Sequence, residues 1–171
     1  MRKTPDTILA LDPGLRDLGY AVLHGRRLVT SGVLALRSVP KDERLAMARR
    51  SIRAWLRTHQ PDVVVVEKTY RHPVPWLDQL HRLSRSARNL ATRQCATFAM
   101  YSPQSVRATV AGNGKAKKAE AAIAVALRFP QLRVYLTQDR RWKERFWQNM
   151  FDAIALALHH QMATRPPSRG R

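Results

Sequence analysis

Ile8-Leu9-Ala10-Leu11-Asp12-Pro13-Gly14 sets an unbroken apolar run directly against an acid and a turn signal. The run reads as a buried strand, Thr7 to Leu11, ended by Pro13-Gly14. Asp12 then stands at the strand's exit, where a carboxylate loses hydration unless a cation or a donor compensates it. The pattern returns in Val63-Val64-Val65-Val66-Glu67, β-branched throughout and without alternation, as in a central strand covered on both faces. A third acid, Asp152, comes early in an Ala-rich helix, Asp152-Ala153-Ile154-Ala155-Leu156-Ala157. Taken singly, each acid is a helix cap or a surface charge more often than a catalytic group. Drawn together, the three suit a hard divalent ion such as Mg²⁺.

Outward from Asp12, the chain alternates strand-like and helix-like periods. Gly19 to Leu23 and Arg27 to Leu36 continue the first strand as an antiparallel meander, with Gly25 at the second turn. Asp42 to His59 reads as an amphipathic helix, with Leu45, Ala48, Ile52, Trp55 and Leu56 on one face and arginines elsewhere. Trp76 to Gln94 reads as another, Thr97 to Tyr101 as a short strand, and Ala116 to Arg128 and Phe146 to Met162 as the last helices. A meander followed by strands alternating with helices predicts an α/β layer with a mixed five-stranded sheet, three antiparallel strands and then parallel ones. Residues 1–163 are expected to form one domain and 164–171 a flexible basic tail.

Composition points to the partner. Against 31 Lys+Arg stand only 12 Asp+Glu, a net charge of +19, and so basic a chain condenses on polyanions, nucleic acid first. At 44% hydrophobic and 25% charged residues over 171 positions, it is a folded basic domain rather than a histone-like tail. The single cysteine, Cys95, excludes an intramolecular disulfide, and no Cys-His zinc spacing occurs. No signal-peptide pattern and no membrane-length apolar run is visible, so a cytoplasmic, nucleoid-associated protein without membrane contact is expected.

At these residues the chain resembles a known family. Leu11-Asp12-Pro13-Gly14 followed by Leu18-Gly19-Tyr20 resembles the first signature of the RuvC-type Holliday junction resolvases, and Val65-Val66-Glu67 their second acid. Tyr101 to Arg107, leading into Val110-Ala-Gly-Asn-Gly-Lys115-Ala-Lys-Lys118, is similar to their basic segment, and Asp152 to Ala157 to their last signature. The resemblance covers about residues 7 to 160. It implies a ribonuclease H-like fold and a homodimeric endonuclease of four-way DNA junctions, using two divalent ions per active site, Mg²⁺ with Mn²⁺ as a substitute. A branch-migration helicase is an implied partner. Asp12, Glu67 and Asp152 would be metal ligands, and Lys118 a basic group beside the scissile phosphate. Arg107, Lys115 and Lys117 would contact flanking phosphates. Tyr70 would either stack on a base at the branch point or be an ordinary loop aromatic.

One position departs from the family pattern. One helical turn before the last aspartate, where the family carries an acid or a histidine, stands Asn149. At i, i+3 from Asp152 it shares that helix face, and an amide oxygen can ligate a hard cation without adding charge. Two divalent ions would then face three carboxylates, so the second is expected to bind weakly until phosphate arrives. Asp139 or Glu144 could instead supply the missing charge, or the site could bind metal poorly and serve recognition. His159, about 10 Å along the helix from Asp152, is expected to lie behind the ligands or to be structural.

Three other readings stay open: a nuclease of this fold for flaps, hybrids or transposon ends; a branched-DNA binder with weak chemistry; and a sugar-kinase or actin-like ATPase. The last needs two such domains, for which 171 residues leave no room. Whatever the substrate, DNA affinity should fall steeply with salt, because each neutralised phosphate releases counterions. A plot of log Kd against log salt should be linear with a slope of about 0.9 per phosphate contacted.

Overall fold

The computed structural model describes residues 6–14, 16–69, 75–136 and 141–164, and of 75–77 and 141–145 the backbone alone. Tyr70, Asp139, the side chain of Glu144 and the tail beyond Thr164 lie outside the described residues.

Five strands form one sheet: β1 (Thr7–Pro13), β2 (Asp17–His24), β3 (Arg27–Ala35), β4 (Val63–Glu67) and β5 (Thr97–Tyr101), in the order β3-β2-β1-β4-β5. β1 pairs with β2 and β2 with β3 antiparallel, while β4 lies parallel to both β1 and β5. This is the expected mixed sheet. β1 runs two residues further than expected, so Asp12 belongs to the strand and pairs with Gly19.

The helices are α1 (Arg44–His59), α2 (Pro75–Arg93), α3 (Pro103–Ala111), α4 (Lys118–Arg128), α5 (Arg133–Leu136) and α6 (Arg141–Ala163), with a 3₁₀ turn at Pro130–Leu132. α3 was not expected as a helix, although its ends are well signalled. Ser102 caps it by accepting from the Ser105 amide at 3.1 Å, Pro103 opens it, and Gly112 closes it at φ 70°. α6 begins five residues before the predicted start, which moves Asp152 from the first turns of the helix to its middle.

Each face of the sheet has its own core, and strand alternation sorts the residues between them. Ile8, Ala10, Val63 and Val65 pack beneath α3, α4 and α6, whereas Leu9, Leu11, Val64 and Val66 pack beneath α1 and α2. The valine run of β4 thus divides evenly between two buried faces. Leu83 and Leu90, on the apolar face of α2, are buried in the second core.

α6 lies directly on β2. A Cβ at Gly19 would overlap the backbone carbonyl of Asn149, so only glycine permits this approach. Gly19→Ala should push the helix off the sheet and cost about 1–3 kcal/mol, measurable as a lower urea midpoint at unchanged m-value.

Candidate active site

Strand register brings the first two acids together. Leu11 and Val66 are paired neighbours across the parallel β1–β4 ladder, so the next residues, Asp12 and Glu67, stand side by side. Alternation turns both toward the face that carries α6, as it does Ala10 and Val65. Asp152, midway along α6 and buried, meets them from above. Lys118, the first residue of α4, closes the group with its Nζ 3.1 Å from Asp152 Oδ2.

The electrostatics follow from this crowding. Burial first, then the charges of Glu67 and Asp152, raise the Asp12 pKa well above the usual carboxylate range, and Lys118 only partly opposes them. Glu67 is pushed up to about 7 by burial and by Asp152, against the pull of Lys118 and Arg107. For Lys118, burial disfavours the ammonium, but Asp152, Asp12 and Glu67 outweigh it and raise its pKa. The pocket is one of excess negative charge held in low dielectric, with one lysine as its internal counter-ion.

The other expected residues divide by position. Arg107, on α3, acts on Glu67 electrostatically and borders the site. Lys115 and Lys117 are exposed on the turn before α4. The Asn113 Oδ1 accepts the Lys115 amide at 2.9 Å, and Glu120 accepts the Lys117 amide at 2.6 Å, so that basic turn has defined structure. Asn149 Nδ2 donates to the Asp17 carbonyl at 3.3 Å, which ties α6 to the turn after Asp12. His159 is buried behind the acids, its Nδ1 2.8 Å from Thr109 Oγ1 and its ring edge-on to Tyr101; it joins α6 to α3.

Three residues of the site were not anticipated. Gln148 Nε2 donates to Asp152 Oδ1 at 2.9 Å, so Lys118 and Gln148 between them engage both oxygens of that carboxylate. The i, i+4 spacing of Gln148 and Asp152 was the available signal. Asp17, buried at the start of β2, accepts from the Arg37 guanidinium, whose carbon also sits 5.7 Å from the centre of the Phe146 ring on α6. This pair braces the turn from the β3 side and depends on β2–β3 register, which no local pattern reveals.

As donors, three crowded carboxylates, with protonation of Asp12 and Glu67 favoured over bare charge, are what a hard divalent cation relieves. As they stand, no group of three His, Cys, Asp or Glu among the described residues is arranged to hold one ion. The Asp152 oxygens face Lys118 and Gln148, so a ligand role for this carboxylate would share or displace those two contacts.

The sheet order, the acids at the ends of β1 and β4, and the third acid on the helix that crosses them define a ribonuclease H-like nuclease. The family model "Crossover junction endodeoxyribonuclease RuvC" matches residues 8–160. A curated relative of that name from Nocardioides sp. is 32% identical, over 90% of this chain and 85% of its own length. One from Azorhizobium caulinodans is 33% identical, over 90% and 88%. Thermus thermophilus RuvC has a similar fold, with a TM-score of 0.71 at 24% identity over 92% of this chain and 97% of that one. The same protein in complex with a Holliday junction substrate gives 0.73 at 23% identity, over 93% and 97%. The chain belongs to the RuvC family of endonucleases.

The raised Glu67 pKa makes a stability prediction. Its folded value of about 7 lies above the usual 4.5, so its contribution is most favourable below about pH 4.5 and is lost as pH rises through about 7. Glu67→Gln, neutral throughout, should flatten the fall in melting temperature between about pH 5 and pH 8 in EDTA. Above pH 7 it should be more stable than the parent by on the order of 2 kcal/mol. Identical pH slopes for the two proteins would rule out the assigned repulsion.

Proposed function

We propose that the chain resolves four-way DNA junctions by metal-dependent hydrolysis of one phosphodiester in each of two opposing strands. The observation that carries this reading is the convergence of Asp12, Glu67, Asp152 and Lys118 at one end of the sheet in a member of the RuvC family. Mg²⁺, with Mn²⁺ as a substitute and two ions per site, is the cofactor this donor set suits. Asp12, Glu67 and Asp152 are its proposed carboxylate ligands and Asn149 Oδ1 a neutral one. The bound ions would supply an activated water and charge neutralisation at the leaving 3′-oxygen.

The chain's own residues do the rest. The sheet holds Asp12 and Glu67 in fixed relation, so these two carboxylates need no reorganisation when the phosphate arrives. Lys118 begins on Asp152 and, once that carboxylate takes up its ligand role, is placed to neutralise charge developing on a non-bridging phosphate oxygen. Arg107, Lys115 and Lys117 grip flanking phosphates, and Tyr70 stacks at the branch point. Three carboxylates do not balance two divalent ions; the substrate phosphate completes the count, so the second ion binds with substrate.

On this reading residues 1–163 act as one domain. A homodimer matches the two-fold symmetry of the junction and allows paired nicks. A branch-migration helicase is the fitting partner, and the nucleoid the fitting location. The engagement of both Asp152 oxygens favours one alternative, a branched-DNA binder with little chemistry.

A labelled four-way junction and a matched linear duplex, each incubated in Mg²⁺ and in Mn²⁺, separate the two. Symmetric nicks in the junction alone are expected. Asp12→Asn should reduce nicking by at least about a hundredfold, the scale of losing one electrostatic contact to the transition state. Junction affinity should be retained or improved, because the substitution removes negative charge. Tight binding without nicking in either metal would favour the binder.

A further inference from the structure

Helix α1 carries five arginines, no lysine and no acid over its sixteen residues. Four of them, Arg49, Arg50, Arg53 and Arg57, are exposed, and among the described residues none pairs with a carboxylate. At about 100° per residue they fall within an arc of about 100°, a single stripe about 12 Å long. The adjoining side of the helix, Ala48, Ile52 and Leu56, is buried on the sheet.

A merely solvated helix face interleaves charges of both signs. Here Arg49–Arg53, Arg50–Arg53 and Arg53–Arg57 are like charges at i, i+3 or i+4, each destabilising to an isolated helix. The exclusive use of arginine is also informative, because its planar fork matches phosphate oxygens where lysine offers a point charge. On the neighbouring α2, Arg82 and Arg85 are exposed too, and Asp78 is that helix's sole acid.

Topology relates the stripe to the active site. β3 ends at the same edge of the sheet as β1, since Ala35 pairs with Asp17, and β4 starts at the opposite edge, where Val63 pairs with Ile8. α1 therefore starts at the catalytic edge and runs away from it, on the face of the sheet opposite α6. Its arginines lead down the flank of the molecule, away from Asp12.

We propose that this stripe is a second DNA-backbone surface, which holds a duplex arm of the junction beyond the nicked phosphate. A stripe of this length spans about seven phosphate charges of a duplex, enough for all four guanidiniums. The inference rests on the reading of the substrate as branched DNA with duplex arms. It predicts that arm length, and not only the branch point, contributes to affinity.

The test compares the full chain with Arg50→Gln/Arg53→Gln/Arg57→Gln and with the corresponding triple lysine variant. Glutamine and lysine keep helix propensity, and among the described residues these side chains have no ion-pair partner to lose. Junctions with arms of about one and about three helical turns are titrated over a salt series. The glutamine variant should bind the long-armed junction about tenfold more weakly, with a shallower salt slope, and the short-armed one within about twofold of the parent. Nicking at saturating protein should be unchanged on both, and the lysine variant should fall between. Equal weakening on both arm lengths, or none on either, would overturn the proposal. If neither junction responds but affinity for polyglutamate is lost, the stripe belongs to an acidic protein partner and the DNA assignment is wrong. Failure of the parent chain to nick either junction would instead count against the catalytic reading, which keeps the two failures distinct.

Discussion

Asp12 and Glu67 repel one another, and the backbone leaves them no choice but proximity. Leu11 and Val66 are neighbours in a parallel ladder with both faces buried, and on its other side β4 stays paired with β5 past Glu67, where the Lys68 amide bonds to the Tyr101 carbonyl at 2.8 Å. A slip of β1 by one residue would send Ala10 to the α1 face and Leu9 and Leu11 to the α6 face, against the sorting of its neighbours. The hydrophobic sorting of the sheet thus keeps two carboxylates side by side at a site where electrostatics alone would separate them.

The remaining parts answer that constraint. Asp152 adds to the repulsion, Lys118 offsets it, and Gln148 holds the other side of the same carboxylate. Because Lys118 opens α4 and Asp152 lies on α6, the packing of these two helices sets how firmly the counter-ion is held. The turn after β1 has its own support on both flanks, Arg37 from the segment after β3 and Asn149 from α6, both meeting at Asp17. The catalytic edge is a place where three elements are pinned to one turn.

How legible this was in the amino-acid order depended on the range of each signal. The strands ending in Asp12 and Glu67 were readable because β-branching, burial and a following turn are all local. The face shared by Asn149 and Asp152 was readable from helical spacing. α3 was not, because nine residues of weak amphipathicity were overshadowed by the basic segment around them, although Ser102-Pro103 and Gly112 marked its ends. The Lys118–Asp152 contact spans 34 residues and the Arg37–Asp17 contact 20, and neither leaves a periodic trace. Both follow only once register and helix docking are known. The position of Asp152 within its helix was misjudged because the residues before Phe146 lack the apolar repeat that marks the rest.

Asn149 has the further property that it cannot be exchanged on its own. Its amide nitrogen faces the Asp17 carbonyl, and a carboxylate there would set oxygen against oxygen. The two glycines share this packing, since a Cβ at Gly14 would crowd the Asn149 nitrogen and one at Gly19 its backbone. Regaining an acid at this position therefore requires the turn from Gly14 to Asp17 to change in step. The neutral residue and the loop beneath it are an epistatic unit, and a lineage that holds one is channelled into keeping the other.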